Sequence, residues 1–387
     1  QPDALAGTFA NDLIKGQAGD DRLLGHGGAD QLWARDGNDS LNGGIGNDSL
    51  HGGNGDDLFT GKPDGNDQYW GGPGRDTLSY ALSADAVSVN LMLSSKQTVS
   101  DGSGKDKILG VENLVGSLHN DLLLGNIAAN YLHGRDGDDE LRGRAGADTL
   151  DGGNGNDFIM GSTGFDYLIG GSGNDQLIGN QGQDVLRGGA GNDTVQGGAG
   201  NDRMMGDTEG DDIYLGGRGQ DTLSFHAATA AVTVNLSLKD SQFIGAGSGN
   251  DTIRQVEHLV GSPFNDRLAG NSFANRLVGG LGQDTLTGGK GADHFVLNSQ
   301  LDPQNIDLFT DFRSGEDYIG LSAKIFTAFA GQIGQKIGLG EHLGYNADTG
   351  ELSYDADGAG PLAAVTVAIL GSQTHPTQIG IDCWILS

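Results

Sequence analysis

The chain has 387 residues, 71 of them glycine, about 18% against a usual ~7%. Only 36% is hydrophobic and 6% aromatic, too little for one large compact core, and Lys+Arg 22 against Asp+Glu 52 leaves a net charge of −30. That balance repels phosphate backbones and anionic membrane surfaces, the single Cys383 excludes an internal disulfide framework, and no apolar run approaches the ~20 residues of a membrane span. The start, Gln1-Pro2-Asp3-Ala4, has neither a basic nor an apolar leader region and no Met. It reads as a chain that is processed or excised from something longer.

High glycine and high charge ordinarily signal disorder, but here the residues are ordered in a repeat. Residues 1–82 carry a nine-residue period, seen from Gly43 as Gly-Gly-Ile-Gly-Asn-Asp-Ser-Leu-His and then Gly-Gly-Asn-Gly-Asp-Asp-Leu-Phe-Thr. The pattern is G-G-x-G-x-D-x-U-x, with U a large apolar residue. Aspartates fall nine apart at Asp12, Asp21, Asp30, Asp39, Asp48 and Asp57, then a ten-residue step reaches Asp67 and nine more reach Asp76. An apolar side chain follows two residues later, as at Leu23, Leu32, Leu41, Leu50 and Phe59. The glycine patterns before Asp30 and Asp39 are imperfect, so looser turns are expected there.

Residues 83–105 break the period and read as an insertion. A second array, 106–227, opens with the less regularly spaced Asp106 and Asp121 and has Asn130 where an aspartate is due. It continues through Asp139, Asp148, Asp157, Asp166, Asp175, Asp184, Asp193 and Asp202, then a ten-residue step to Asp212 and nine more to Asp221. Residues 228–250 form an insertion equivalent to 83–105, because segment 71–143 matches 216–288 at an offset of 145. Thus Val87-Ser-Val-Asn-Leu91 aligns with Val232-Thr-Val-Asn-Leu236, and Val111-Glu-Asn-Leu with Val256-Glu-His-Leu. A third short array, 251–295, holds Asp251, Asp266, Asp284 and Asp293, with Asn275 replacing an aspartate. Both asparagines are expected to bind weakly or to serve only as structural turns.

Residues 296–387 form a small β-rich cap, which an exposed roll end requires. His294–Leu297, 307–312 and 317–321 read as strands, 323–330 as one or two helical turns, and 351–358 with 364–370 as a hairpin. Asp355-Ala-Asp-Gly begins like an EF-hand loop but has Thr366 at the twelfth position, so it reads as a turn. Tyr69, Trp70 and Tyr80 read as packing under the insertion rather than as a sugar platform. The scattered histidines and Cys383 form no catalytic constellation, so no enzyme activity is expected within this chain.

Glycine disfavours helix and permits tight turns, and x-U-x is a minimal strand. Two nonapeptides therefore make one coil of 18 residues, with coils stacked about 4.8 Å apart like parallel strands. Aspartates 18 apart then lie above one another. Two carboxylates ~5 Å apart repel by about 0.8 kcal/mol even in bulk water, so a hard divalent cation between turns is required. Calcium suits it, taking 6–8 oxygens from carboxylates and backbone carbonyls.

The tandem nonapeptides resemble the RTX (hemolysin-type calcium-binding) repeat family. The resemblance implies an all-β, right-handed parallel β-roll, a calcium-bound solenoid here carrying two insertions and the C-terminal cap. It implies multiple Ca2+ ions, with all the aspartates named above as ligands. The end of the chain is similar to the uncleaved type I secretion signals of that family, which implies a secreted, extracellular protein and transient contact with the export machinery. An alternative is the C-terminal part of a larger secreted enzyme or toxin, such as a mannuronan C5-epimerase, lipase, protease or haemolysin. A third is an extracellular adhesin or lectin that uses the insertions to bind polysaccharide or a cell surface.

Overall fold

The computed structural model describes every residue except 1, 63, 101–103, 208, 246, 247, 359, 361 and 372–381. It contains two compact units, Gln1–Ala199 and Gly200–Ser387. The chain is an all-β parallel solenoid, and the helical element among the described residues is a single 3-10 turn, Thr327–Gln332.

In the first unit, strands pair in parallel with the strand one coil away. Leu5 lies opposite Leu23, Leu23 opposite Leu41 and Leu132 opposite Leu150. This is the 18-residue coil that the period predicts. The apolar U residues form the core: Leu32, Leu41, Phe59, Leu114, Leu132, Leu150, Leu168 and Leu186 are all fully buried. Each such side chain contributes roughly 1.5–3 kcal/mol on burial, but only against its neighbours above and below, so no coil stands alone. The ten-residue step changes the spacing without breaking the pairing, as Leu50 lies opposite Tyr69 and Phe59 opposite Leu78.

The first insertion is more than a loop. Its strand Ser88–Asn90 pairs in parallel with Leu122–Leu124 and so belongs to the roll, with Val87 and Val89 buried. Gln97–Thr98 then turns back antiparallel along Lys105–Leu109, which itself stacks on Gln68–Trp70. One face of the roll is therefore interrupted, while the other runs on without a break, Thr77–Ser79 to Asn113–Val115 to Tyr131–Asp136. The second unit repeats this arrangement. Thr233–Asn235 pairs with Arg267–Ala269, Gln242–Gly245 runs antiparallel to Ser248–Arg254, and Thr222–Ser224 passes directly to His258–Val260.

Tyr69 and Tyr80 are buried, as packing residues should be. Trp70 points outward instead, and its ring stacks on His51 at 4.3 Å, which stacks on Trp33 at 3.7 Å. These rings cover one another's faces.

The C-terminal region continues the solenoid before closing it. Phe295 pairs with Ile319 and Ile319 with Cys383, on one face, and Leu286 pairs with Phe309 and Phe309 with Leu370 on the other. Antiparallel strands then end both stacks, Lys336–Ile337 against Asp382–Leu386 and Glu351–Tyr354 against Val365–Leu370. The expected hairpin is present. Cys383 occupies a core column, fully buried, and burial pushes its thiol up to about 12. Within the Asp355 loop, the described part is a turn in which the Asp357 N–H donates to the Asp355 carboxylate at 3.2 Å. Within the segment resembling a secretion signal, 296–387, residues 359, 361 and 372–381 lie outside the described residues.

Candidate metal centre

The six-residue turns are built by close approach of successive coils. The Gly28 N–H donates to the carbonyl of Ile45 at 2.9 Å, tying one turn to the next. Gly46 has φ 132°, and a Cβ there would overlap the Gly28 carbonyl oxygen. Only glycine fits such a position.

Most of the repeat aspartates close their turns in the same way. One carboxylate oxygen, Oδ1, accepts the backbone N–H of the aspartate one coil earlier: Asp12 donates to Asp30, Asp30 to Asp48, Asp21 to Asp39 and Asp39 to Asp57, at 2.6–2.8 Å. The rows continue through Asp67, Asp76 and Asp106. Beyond the first insertion they run from Asp121 to Asp139 and Asp157, and from Asn130 to Asp148 and Asp166, and then to Asp175, Asp184 and Asp193. In the second unit Asp202 donates to Asp221, Asp212 to Asp251, Asp266 to Asp284 and Asn275 to Asp293. All of these aspartates but the half-exposed Asp12 are buried. The turns before Asp30 and Asp39 are not looser. They close with the same hydrogen bonds, because His26 (φ 76°) and Arg35 (φ 91°) take the left-handed conformation usually left to glycine, at a cost of roughly 1–2 kcal/mol each.

The second oxygen of many of these carboxylates has no partner. Oδ2 is buried without a hydrogen bond in Asp30, Asp39, Asp48, Asp57, Asp76, Asp139, Asp148, Asp157, Asp166 and Asp175 of the first unit, and in Asp221, Asp251 and Asp284 of the second. A buried ionised oxygen left unpaired costs several kcal/mol. Burial accordingly pushes Asp139 up to about 8, with the charges of Asp121 and Asp157 adding and the Asp121 N–H opposing. Asp57 and Asp148 are pushed up to about 7, and Asp157 and Asp175 to about 6, again chiefly by burial. Such rows either take up protons or take up cations. Hard oxygen donors, one per turn and repeated along both edges, fit a divalent oxygen-seeking ion and not zinc. Among the described residues no three His, Cys, Asp or Glu side chains converge on one point. The rest of a calcium shell would therefore come from main-chain carbonyls and water.

The family signature described as the RTX calcium-binding nonapeptide repeat matches residues 2–32, 33–62, 64–78, 115–150, 151–186, 178–208, 208–223 and 260–295, more than half of the chain. The chain belongs to the RTX calcium-binding repeat family. RTX nonapeptides bind Ca2+, and the unpartnered oxygens sit where the repeat pattern puts its aspartates. Among solved structures, the chain is similar to a hyperactive, Ca2+-dependent, β-helical antifreeze protein from an Antarctic bacterium. That match has 16% identity, covers 81% of this chain and 84% of the other, and has a TM-score of 0.23. No curated protein matches the chain.

Four further RTX ladder positions lie outside the aspartates of the nonapeptide pattern. Glu112 accepts the N–H of Asp76 at 3.0 Å, and Glu257 accepts that of Asp221 at 3.0 Å. Asp307 accepts from Asp284, and Asp317 from Asp293. Each carries the signal of an acid two residues before a buried apolar side chain, Leu114, Leu259, Phe309 and Ile319. Asn130 and Asn275 turn their amide groups to donate to the carbonyls of Glu112 and Glu257. An amide that donates in this way is a structural turn.

Proposed function

We propose that this chain is the calcium-folded module of a secreted protein, exported unfolded by type I machinery and folded outside the cell. The observation that carries the reading is the double row of buried, unpartnered carboxylate oxygens, with Asp139 and Asp148 as its clearest members. At a net charge of −30, a chain without calcium repels itself and stays extended, which suits passage through a narrow channel. Extracellular calcium modules work at ~10⁻⁴–10⁻³ M, far above cytosolic levels, and the binding free energy then becomes the folding free energy. Folding spreads from coil to coil, because each coil buries its apolar side chains only against a neighbour. Repeat aspartates with an unpartnered Oδ2, such as Asp48, Asp139 and Asp148, supply the oxygens. The module reading places any catalytic step of the full protein in residues outside this chain.

Far-UV circular dichroism at pH 8.5, in EGTA and in millimolar calcium, tests it. Strand signal that develops only with calcium supports the module. Equal strand signal in both conditions overturns it.

A further inference from the structure

The turns are of two kinds, separated by the backbone at their second residue. Where that residue has positive φ, as at Gly44 (96°), Arg135 (92°) and Arg144 (82°), the following Asp48, Asp139 and Asp148 keep an unpartnered Oδ2. In seven described turns where it does not, its own N–H points at the side-chain oxygen of the sixth residue. The Ser117 N–H donates to Oδ2 of Asp121, and the Ser117 hydroxyl to Oδ1 at 2.8 Å. Ser262 does the same for Asp266, with its hydroxyl 2.7 Å away. Thr8 donates both groups to Asp12, and Gln17 its N–H to Asp21. Asn126 and Asn271 donate their N–H groups to the side-chain oxygens of Asn130 and Asn275 at 2.7 Å.

Six of these turns form consecutive pairs, 7–12 with 16–21, 116–121 with 125–130, and 261–266 with 270–275, and each pair is one coil of 18 residues. A seventh, 312–317, stands alone in the C-terminal region, where the Arg313 N–H donates to Oδ2 of Asp317 at 2.7 Å. One such coil spans 7–24, and one follows each insertion. We infer that the coil following each insertion, like the coil at 7–24, holds its carboxylates by its own hydrogen bonds, and that calcium is bound only by turns whose second residue has positive φ. Two or three donors on a carboxylate do for it what a cation does elsewhere. Such a coil also prepares the next one, since the Asp121 and Asn130 N–H groups already hold Oδ1 of Asp139 and Asp148. Calcium-dependent coils then add to a formed edge, which removes the costly first step of a one-dimensional assembly. This rests on the calcium-module reading and says which turns carry it.

The test is the number of calcium ions bound by the full chain at saturation, measured by equilibrium dialysis. Asp148→Asn is expected to lower it by at least one, whereas Asp121→Asn leaves it unchanged, because Asn130 shows that an amide serves in such a turn. The paired change Ser117→Gly with His119→Gly gives turn 116–121 the G-G-x-G-x-D pattern and is expected to raise the number by at least one. Equal losses from Asp121→Asn and Asp148→Asn overturn the inference alone, as does no gain from the glycine pair. A parent chain that binds no calcium overturns the module reading beneath it.

Discussion

Residues 71–143 and 216–288 build the same structure twice from partly different side chains. Both copies run the ladder through a glutamate, Asp76 to Glu112 and Asp221 to Glu257. Both send the insertion strand onto the serine-held turn, Val87 to Asp121 and Val232 to Asp266 at 2.7 Å. They part at one buried hydroxyl. The Tyr80 hydroxyl donates to Oδ2 of Asp106 at 3.2 Å, but its counterpart is Phe225, and Oδ2 of Asp251 is left unpartnered. The carboxyls follow. Burial raises both, but Asp106 reaches about 6, where the Tyr80 hydroxyl opposes the rise, and Asp251 about 7. The ladder and the apolar column thus define the module, while individual donors around a carboxylate can be exchanged.

The largest effect expected from this equivalence is in the core. Leu114→Ala and Leu259→Ala each empty a fully buried site, and each should cost ~2–5 kcal/mol in chemical unfolding at saturating calcium. A much smaller loss at one of them would break the equivalence of the two copies. Next come the glutamates. Glu112→Ala and Glu257→Ala leave the Asp76 and Asp221 N–H groups without an acceptor, at about 1–3 kcal/mol. The glutamine variants keep an acceptor oxygen and should recover most of the loss, so glutamine and alanine variants of equal stability would contradict the assigned role. The smallest effect is Tyr80→Phe, which makes the first copy resemble the second and should cost roughly 0.5–1.5 kcal/mol, read as a lowered melting temperature in calcium.

Much of this is legible in the sequence, for a physical reason. A nine-residue period leaves one inward side chain per strand and one acid per turn, so the columns through Leu132 and Leu150 and the rows through Asp139 and Asp148 follow from spacing alone. Glu112, Glu257, Asp307 and Asp317 escape a pattern built on glycine turns, although their distance to the next apolar residue matches that of the aspartates. The insertion strand Ser88–Asn90 escapes because its partner, Leu122–Leu124, lies more than a coil away. The two kinds of turn escape because backbone φ is not written in composition. His26, Arg35 and Arg144 adopt the conformation that Gly44 adopts, while Ser117 and Gln17 do not.

The central claim is that calcium replaces protons on a buried carboxylate ladder, and pH dependence without and with the ion tests it most directly. In the metal-free fold, carboxyls such as Asp139 (about 8) and Asp57 (about 7) lie above the ~3.9 of an unfolded aspartate. Folding then takes up protons, so metal-free stability is present at low pH and is lost as pH rises through those values. In calcium the same groups are held ionised, and acid competes with the ion. Circular dichroism of the chain in EGTA should therefore show strand structure increasing from pH 8.5 to pH 5.5, while calcium affinity falls over that range. Strand content in EGTA that stays constant across it, or calcium affinity that rises on acidification, would contradict the account.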